Sequence, residues 1–218
     1  MTDQWDDQGI APGAIFGGRF RIDQKLGQGG MGSVWSATQL QLGRSVALKI
    51  LLPRYAHEAS ARARFEREAR VASALRHPNA VQVVDFGEDQ GRLYLAMELV
   101  EGMTLRQVLN PPNPPLTLTR FLSLGFQLAD VLVAAHALPL VHRDLKPDNI
   151  FVEPPRAGME RIRVVDFGLA FFEDDRGSPT GRVTTEGIVM GTPEYLSPEQ
   201  ALGEPLGPPC DIYALGCV

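Results

Sequence analysis

The feature of this sequence that most constrains its fold is a change of pattern near Gly102. Before that residue, short apolar stretches bounded by turn residues predict strands, and one helical stretch is ended by Pro78. The predicted strands cover 19–26, 33–38, 45–52, 81–86 and 92–99, and the helix covers 59–75. After Gly102, a short helix at 104–109 is followed by the breaker Pro111–Pro115 and by a long helix that begins near Thr117. The pattern indicates an α+β chain in which a small sheet and one helix precede a hinge and a mainly helical part.

The glycine-rich stretch Gly27–Gly32 has the spacing G-x-G-x-x-G, which alone is weak evidence because dinucleotide-binding folds share it. In those folds the third glycine opens a helix, and an acidic residue follows about 20 residues later. Here a predicted β-hairpin follows instead, and then Lys49. Glycines let a backbone close over phosphates without a Cβ clash. The context therefore favours a nucleotide-binding loop over a plain flexible turn or a dinucleotide oxidoreductase.

Lys49 lies in the apolar stretch Val46–Leu52, where a period of two places Ala47 and Lys49 on the same face of a strand. This arrangement suits a bound nucleotide, because Ala47 could then lie beside the base and the Lys49 ammonium beside the phosphates. A lysine that protects an edge strand is the alternative for Lys49 taken alone. The glycine-rich stretch upstream decides in favour of nucleotide binding.

Glu68 lies within the apolar stripe of the predicted helix, whereas Glu66 lies on the opposite face. The stripe consists of Phe65, Ala69, Ala72 and Leu75. A carboxylate on a buried face needs a partner, and Lys49 is the candidate. A surface pair at i,i+4 spacing with a neighbouring arginine is the alternative.

The octet His142–Asn149 reads H-R-D-L-K-P-D-N and matches the pattern H-R-D-x-x-x-x-N. It is followed in order by Asp166-Phe167-Gly168 and by Gly191–Glu199, which reads G-T-P-E-Y-L-S-P-E. Together these motifs resemble the serine/threonine protein kinase domain, and their wording is most similar to the eukaryotic-like kinases of bacteria. The resemblance extends from about Phe16 to Val218.

The resemblance implies a two-lobe fold with a small antiparallel sheet and one helix in the N-terminal lobe. We expect a disordered leader at 1–14, this lobe and the hinge at 15–102, and an incomplete, mainly helical C-terminal lobe at 103–218. Asp211–Gly216 resembles the start of the central helix of that lobe, and Asp211 is expected to bond backbone amides of the octet. Because relatives continue well beyond this helix, we expect a C-terminally truncated domain that folds and works poorly when expressed alone.

The resemblance also implies the catalytic roles. Asp144 accepts the proton of a substrate hydroxyl, and Lys146 neutralises charge on the moving phosphoryl group. A lysine at this position is typical of serine/threonine rather than tyrosine kinases. Asn149 and Asp166 hold Mg²⁺ through oxygen atoms, and the pair of Lys49 with Glu68 supports the phosphates.

The residues that the resemblance places around ATP come from every motif named above. Met97 is expected to border the adenine, backbone groups of Glu98 and Val100 to bond its edge, and Phe151 to pack under it. The complete set is Leu26, Gly27, Gly29, Gly32, Val34, Ala47, Lys49, Met97, Glu98, Val100, Phe151 and Asp166.

Arg143 precedes the catalytic aspartate, and in this family such an arginine receives a phosphorylated activation loop. The loop spans 166–199, and Thr184 and Thr185 are its expected phosphorylation sites, although incidental threonines in a solvated loop are the alternative. Thr192 is expected to bridge Lys146 and Asp144. Ser197 replaces the usual alanine of the A-P-E motif, which is a mild departure.

Composition excludes some classes of partner and location. The net charge of −5 over 218 residues argues against nucleic acid, whose phosphates select basic surfaces. Cys210 and Cys217 form neither a metal-ligand array nor a disulfide framework, so we expect a cytoplasmic protein. The apolar stretch 121–140 contains polar residues and is expected to be a buried helix rather than a membrane segment.

The function expected from the sequence is ATP- and Mg²⁺-dependent transfer of phosphate to serine or threonine hydroxyls of proteins. One alternative is a nucleotide-binding fragment or scaffold without catalysis. A second is a small-molecule phosphotransferase with a similar catalytic loop, against which the segment Gly191–Glu199 speaks.

Overall fold

A computed structural model of the protein describes residues 9–56, 59–156, 158–167 and 193–218. The chain divides into two compact units. The first, the sheet unit, comprises Met1–Ser73 and Gln82–Leu99. The second, the helical unit, comprises Ala74–Val81 and Val100–Val218. The expected phosphorylation sites Thr184 and Thr185, together with Thr192 and Gly168, lie outside the described residues.

The sheet unit is built on one antiparallel sheet with the strand order β1-β2-β3-β4-β6-β5. Its strands are β1 (Ile15–Phe16), β2 (Phe20–Gly29), β3 (Gly32–Gln39), β4 (Arg44–Leu51), β5 (Val83–Asp89) and β6 (Arg92–Glu98). The turns before β4 and β6 each contain a glycine with positive φ, Gly43 at 63° and Gly91 at 70°, which suits a tight hairpin. The five strands predicted from alternation are confirmed within a few residues, and the two-residue β1 is an addition.

One face of this sheet carries an aromatic cluster. The rings of Phe16 and Phe20 meet Tyr94 edge to face, at centroid distances of 5.7 and 5.8 Å. Trp35 and Ile22 are buried in the same cluster. Burial of such large side chains is the main stabilising contribution available to a small domain.

Ile10 also belongs to this cluster, with only 4% of its surface exposed. The segment around it is bonded to β2, because Gly13 donates to Ile22 O at 2.7 Å and the Ile22 amide donates to Ala14 O at 2.8 Å. The expectation of a disordered leader at 1–14 is therefore wrong for residues 9–14. Ile10 stands alone among polar residues and therefore gives no periodic signal in the sequence. Its burial depends on aromatic residues that lie further along the chain.

The helix of the sheet unit is α1 (Ala59–Ala74). The predicted stripe is confirmed, since Phe65, Ala69 and Ala72 are buried. The Phe65 ring contacts Phe86 of β5 at 6.3 Å. Phe86 is the cross-strand partner of Leu95, which is in turn the partner of Lys49. Cross-strand partners point to the same side of a sheet, so α1 packs on the face that carries Lys49.

Within the described ranges, the helical unit contains both strands and helices before its two C-terminal helices. These are β7 (Met103–Thr104), α2 (Leu105–Leu109), α3 (Leu118–His136), β8 (Ile150–Arg156) and β9 (Met159–Val164), and the chain then reaches α4 (Pro198–Leu202) and α5 (Pro208–Cys217). Strands β7, β8 and β9 form a second antiparallel sheet in that order. Thr117 caps α3 by accepting from the Arg120 amide, which explains why the helix begins there.

Gly102 was expected to be a flexible joint, and the structure gives a different reason for a glycine there. Its φ is 151°, and a Cβ at this position would lie 2.4 Å from Val152 O on β8. The residue is thus required by close packing of β7 on β8 rather than by freedom of motion.

Helix α3 is long and apolar enough, by length and composition alone, to cross a membrane, with a mean hydropathy of 1.4. Its contacts are those of a packed helix. Arg120 forms a two-pronged ion pair with Glu160 of β9 at 2.7 and 2.9 Å, and Gln127 accepts from the Ile162 amide at 3.0 Å. Its inner face is buried at Leu124, Leu128, Val131, Leu132 and Ala135.

Candidate functional site

The glycine-rich stretch forms the hairpin between β2 and β3, with Gly29 opposite Gly32. The three predicted glycines serve two purposes. A Cβ on Gly32, whose φ is 155°, would lie 2.0 Å from Ile50 O, so this glycine is needed for close approach of β3 to β4. At Gly27 a Cβ would meet nothing within 4 Å among the described residues, and at Gly29 it would meet only Gly32 O at 4.0 Å. The first two glycines therefore face open space, which suits a loop that lies over a ligand.

Four of the predicted nucleotide-binding residues share one face of the sheet. Val34 is the cross-strand partner of Lys49, and Ala47 is the partner of Met97. Since Ala47 and Lys49 are two residues apart on β4, all four side chains point to the same side. Leu95 joins them as the second partner of Lys49, and sequence analysis missed it because it depends on the register of β4 with β6.

Glu68 of α1 is mostly buried, with 16% of its side chain exposed, and its Oε1 lies 3.7 Å from Arg67 Nη2. Glu66 on the outer face pairs with Arg70 at 3.5 Å, as its predicted orientation requires. Arg67 directly precedes Glu68, so this contact is not the i,i+4 surface pair that was the alternative. The pairing of Glu68 with Lys49 stays a prediction.

The backbone at Glu98 is more constrained than the sequence indicates. Its amide donates to Gln82 O at 3.0 Å, so this N–H is already used and is not available to bond an adenine edge. Met97 beside it is buried, whereas Leu26 on β2 is half exposed at 50%. Val100 and Phe151 belong to the helical unit, where both are partly buried.

The helical unit brings three predicted catalytic residues together in the octet. Lys146 Nζ donates to Asp144 Oδ2 at 2.7 Å, and Asn149 Nδ2 donates to the same oxygen at 3.2 Å and to Asp144 O at 2.7 Å. A third of the Asp144 side chain remains exposed. The result is an accessible carboxylate, aligned by an amide and accompanied by an ammonium, which suits acceptance of a proton from a bound hydroxyl.

Asp166 is placed next to Asn149 by the backbone, because the Val165 amide donates to Asn149 O at 3.0 Å. Its φ of 63° is unusual for a residue other than glycine and marks strain of the kind that functional sites hold. The neighbouring Phe167 is buried against His142, with ring centroids 4.9 Å apart. His142 Nε2 also lies 2.9 Å from Val165 O, so this histidine is a packed structural residue.

The donor set suits Mg²⁺. The described residues contain no group of three or more histidine, cysteine, aspartate or glutamate side chains that could hold a metal ion. Magnesium, however, is usually bound by one or two protein oxygens together with phosphates and water. Because Asn149 Nδ2 is used by Asp144, the amide oxygen of Asn149 and the carboxylate of Asp166 are the atoms that would hold the ion.

Asp211 of α5 fixes the backbone at the start of the octet through its carboxylate. Its carboxylate is only 1% exposed and accepts from the His142 amide at 2.8 Å and from the Arg143 amide at 2.9 Å. His136 Nε2 of α3 lies 2.8 Å from the same carboxylate. The predicted bonds from Asp211 to this loop are confirmed, and the His136 contact is new.

The surroundings of this carboxylate also affect its neighbours. Burial, together with the charges of Asp211 and Glu199, raises the pKa of the Cys210 thiol to about 12, so this thiol stays protonated and unreactive. Arg143, held at positive φ of 67°, has its carbonyl bonded by Gln200 Nε2 of α4 at 2.7 Å.

The departure at Ser197 has a structural reason. Ser197 is fully buried and caps α4, where its hydroxyl accepts from the Gln200 amide while the Gln200 side chain bonds back to the Ser197 amide. A serine provides this capping box and an alanine would not. The substitution therefore supports the helix that carries Gln200 to the octet.

Comparison with known proteins gives one consistent answer. The family model described as the protein kinase domain matches residues 20–218. The chain is 45% identical to serine/threonine-protein kinase pkn2 of Myxococcus xanthus over 95% of its own length and 24% of that protein. It is 41% identical to serine/threonine-protein kinase PknA of Mycobacterium tuberculosis, over 94% of this chain and 47% of that one. The chain thus spans less than half the length of these curated relatives.

The fold is similar to solved structures as well. The crystal structure of the Mycobacterium tuberculosis PknI kinase domain matches with a TM-score of 0.72 and 30% identity, over 94% of this chain and 74% of that one.

The buried Asp211 generates a stability prediction. In Asp211→Asn, one accepting oxygen becomes an NH₂ group that faces donors, so at least one buried amide loses its partner. We expect the free energy of unfolding to fall by about 2 to 4 kcal/mol in denaturant titrations. Asp130→Asn is the matched control, because Asp130 also faces a histidine, at 3.1 Å, but its side chain is 72% exposed. The role of Asp211 is refuted if both variants unfold like the wild type.

Proposed function

The chain belongs to the protein kinase domain family, and from that premise we propose that it transfers the γ-phosphate of ATP to serine and threonine hydroxyls of proteins. The observation that carries the proposal is the cluster of Asp144, Lys146 and Asn149 around one carboxylate oxygen. Phosphoryl transfer needs alignment and neutralisation of charge more than covalent assistance. An exposed, aligned carboxylate with an adjacent ammonium meets both needs.

Each group in the cluster has a distinct task. Asp144 orients the attacking hydroxyl and accepts its proton. Lys146, already 2.7 Å from that carboxylate, lies where negative charge moves during transfer and offsets it. Bound Mg²⁺ would neutralise the phosphates, and Asn149 and Asp166 are the residues that would hold it. On the sheet unit, the open hairpin at Gly27 and Gly29 would cover the phosphates.

Two other functions remain as alternatives for experiment. A nucleotide-binding scaffold would bind ATP without transfer. A small-molecule phosphotransferase would transfer phosphate but not to proteins. The segment Gly191–Glu199 favours protein substrates, and the lysine two residues after Asp144 favours serine and threonine over tyrosine as the acceptor. Free thiols at Cys210 and Cys217 support a cytoplasmic location.

The first test is removal of the proton acceptor. Asp144→Asn keeps the side-chain size, so ATP binding should stay near the wild-type value while transfer to a generic protein substrate falls by about 10³-fold or more. Asp166→Asn should lose transfer to the same extent and should also bind MgATP less tightly. Radiolabelled phosphate transfer measures the first quantity and calorimetry the second.

Asp148→Asn is the control for this test, since Asp148 lies in the same octet but is paired with Arg106 on the surface. It should retain most of the wild-type rate. Activity of Asp144→Asn above a tenth of the wild-type rate would refute its role. Loss of transfer to protein with retained transfer to a small molecule would favour the second alternative.

We extend the proposal to a functional pair between Lys49 and Glu68. The packing of α1 on the face that carries Lys49 supports it. Lys49→Met and Glu68→Gln should each reduce transfer, and the double variant should be little worse than Lys49→Met, because residues that act as a unit are non-additive. A double-mutant cycle on initial rates measures this coupling.

Arg67→Ala is the control for the pair, because Arg67 is the observed neighbour of Glu68. It should leave the rate nearly unchanged. Additive losses for Lys49 and Glu68, with coupling instead between Arg67 and Glu68, would show that the arginine is the true partner.

We also propose that phosphorylation of Thr184, and secondarily of Thr185, by a second copy activates the enzyme. The Arg143 Nε is buried and has no hydrogen-bond partner among the described residues, which suits a cation that receives an anion. A phosphate carries a charge of about −1.5 to −2 and would pair with it. Mass spectrometry of active protein should find the phosphate, and Thr184→Ala with Thr185→Ala should lower the rate.

Ser178→Ala with Thr180→Ala is the matched control in the same segment and should act like the wild type. Full activity of an unmodified protein would show that no such activation exists.

A further inference from the structure

The tip of the glycine-rich hairpin is held by a side chain that no motif predicts. Arg54 Nη2 donates to Gly30 O at 2.7 Å. Gly30 lies between the glycines that face open space and Gly32, which is pressed against β4. Arg54 is exposed, yet it reaches 24 positions back along the chain to bind this one carbonyl.

Arg54 is itself held in place. It lies in a 3-10 turn at Pro53–Tyr55, directly after β4, in which the Tyr55 amide donates to Leu52 O at 3.0 Å. Its guanidinium lies over the Tyr55 ring at 5.0 Å and donates to the Tyr55 hydroxyl at 3.3 Å. A fixed turn and a stacked partner lower the conformational entropy that the bond to Gly30 costs.

The bond sets the orientation of a peptide group. The carbonyl and the amide of one peptide unit point in opposite directions. When Arg54 draws the Gly30 carbonyl towards itself, the Met31 amide of the same unit is turned away from Arg54. The next carbonyl, Met31 O, accepts from the Leu52 amide at 2.9 Å, so the tip is held at two consecutive units. Without these bonds a glycine-rich tip would sample many conformations.

The same strand connects this tether to Lys49. Lys49 is on β4, and Leu52 and Arg54 follow it by three and five positions. Strand β4 therefore carries one cation, Lys49, on the face that bears the predicted nucleotide-binding residues, and the turn that follows the strand carries a second cation, Arg54, that positions the backbone amides of the hairpin tip. Backbone amides held in fixed orientation bind phosphate oxygens.

We propose that Arg54 is a positioning residue for the triphosphate of the nucleotide, acting through the Gly30–Met31 peptide rather than by contact with ATP. This inference rests on the proposed kinase function. The effect should be confined to binding of the phosphates, because the hairpin tip would act on them and not on the adenosine part of the nucleotide. Loss of Arg54 should weaken binding of ATP and leave binding of adenosine unchanged.

The test is calorimetry of the full chain with MgATP and, separately, with adenosine. Arg54→Ala should raise the Kd of MgATP by about threefold to tenfold, the range for loss of one ordinary hydrogen bond, because this bond is exposed to solvent. The Kd of adenosine should stay at the wild-type value. Arg54→Lys retains a donor and a positive charge and should restore part of the lost affinity.

Arg44→Ala is the matched control. Arg44 is an exposed arginine at the other end of β4, where it donates to Gln39 Oε1 at 2.7 Å, and its loss changes the net charge equally. It should bind both ligands like the wild type. Equal weakening of MgATP by Arg44→Ala and Arg54→Ala would assign the effect to long-range charge and overturn the proposal, as would parallel loss of adenosine binding in Arg54→Ala.

The proposed function and this inference fail in different ways. A wild-type chain that binds MgATP no more tightly than adenosine would remove the nucleotide function, and the role of Arg54 with it. A wild-type chain that prefers MgATP, together with an Arg54→Ala variant that keeps the full preference, would overturn the role of Arg54 alone.

Discussion

The helical unit depends on one buried carboxylate. Asp211 accepts two consecutive backbone amides, those of His142 and Arg143, and lies against His136 of α3. A charge in this setting is stabilised only if its lone pairs are satisfied, so its three contacts must form together. These contacts fix the backbone at the first two residues of the octet. The octet then places Lys146 and Asn149 beside one carboxylate oxygen of Asp144. The chemistry is therefore positioned by a residue that does not take part in it.

The two faces of the sheet unit differ in role: one is packed for stability, and the other carries the predicted nucleotide-binding residues. One face holds the aromatic cluster around Tyr94, which provides stability. The other carries Lys49, Ala47, Val34 and Met97 and is covered in part by α1. The period of two along β4 makes this separation possible, because Leu48 and Ile50 enter the cluster while Ala47 and Lys49 face the other way. A shift of one residue in the register of β4 would exchange the two faces, which would expose Leu48 and Ile50 and turn Ala47 and Lys49 into the aromatic cluster.

Much of this arrangement is visible in the sequence, and the parts that are not have physical reasons. The strands of the sheet unit follow from short apolar stretches between turn residues, α1 from its apolar stripe, and α3 from its long apolar run. Strands β8 and β9 were not predicted, because Pro154 and Pro155 interrupt the first and because the alternation in the second is short, limited to Arg161–Val164. The bonds from Asp211 to the octet followed from resemblance to a family. The tether from Arg54 and the place of Leu95 depend on distances and register, which no local pattern encodes.

The docked segment that contains Ile10 bears on where this domain begins. The family match starts at residue 20, at the first residue of β2. The folded unit starts earlier, because Ile10 and Phe16 lie inside the aromatic cluster and the residues between them bond to β2. A polypeptide cut at the family boundary would keep every motif and yet leave Tyr94 and Phe20 uncovered on one side. A domain boundary drawn from motifs would thus expose an apolar surface that favours aggregation. The practical N-terminal limit for expression lies about ten residues before the start of the family match.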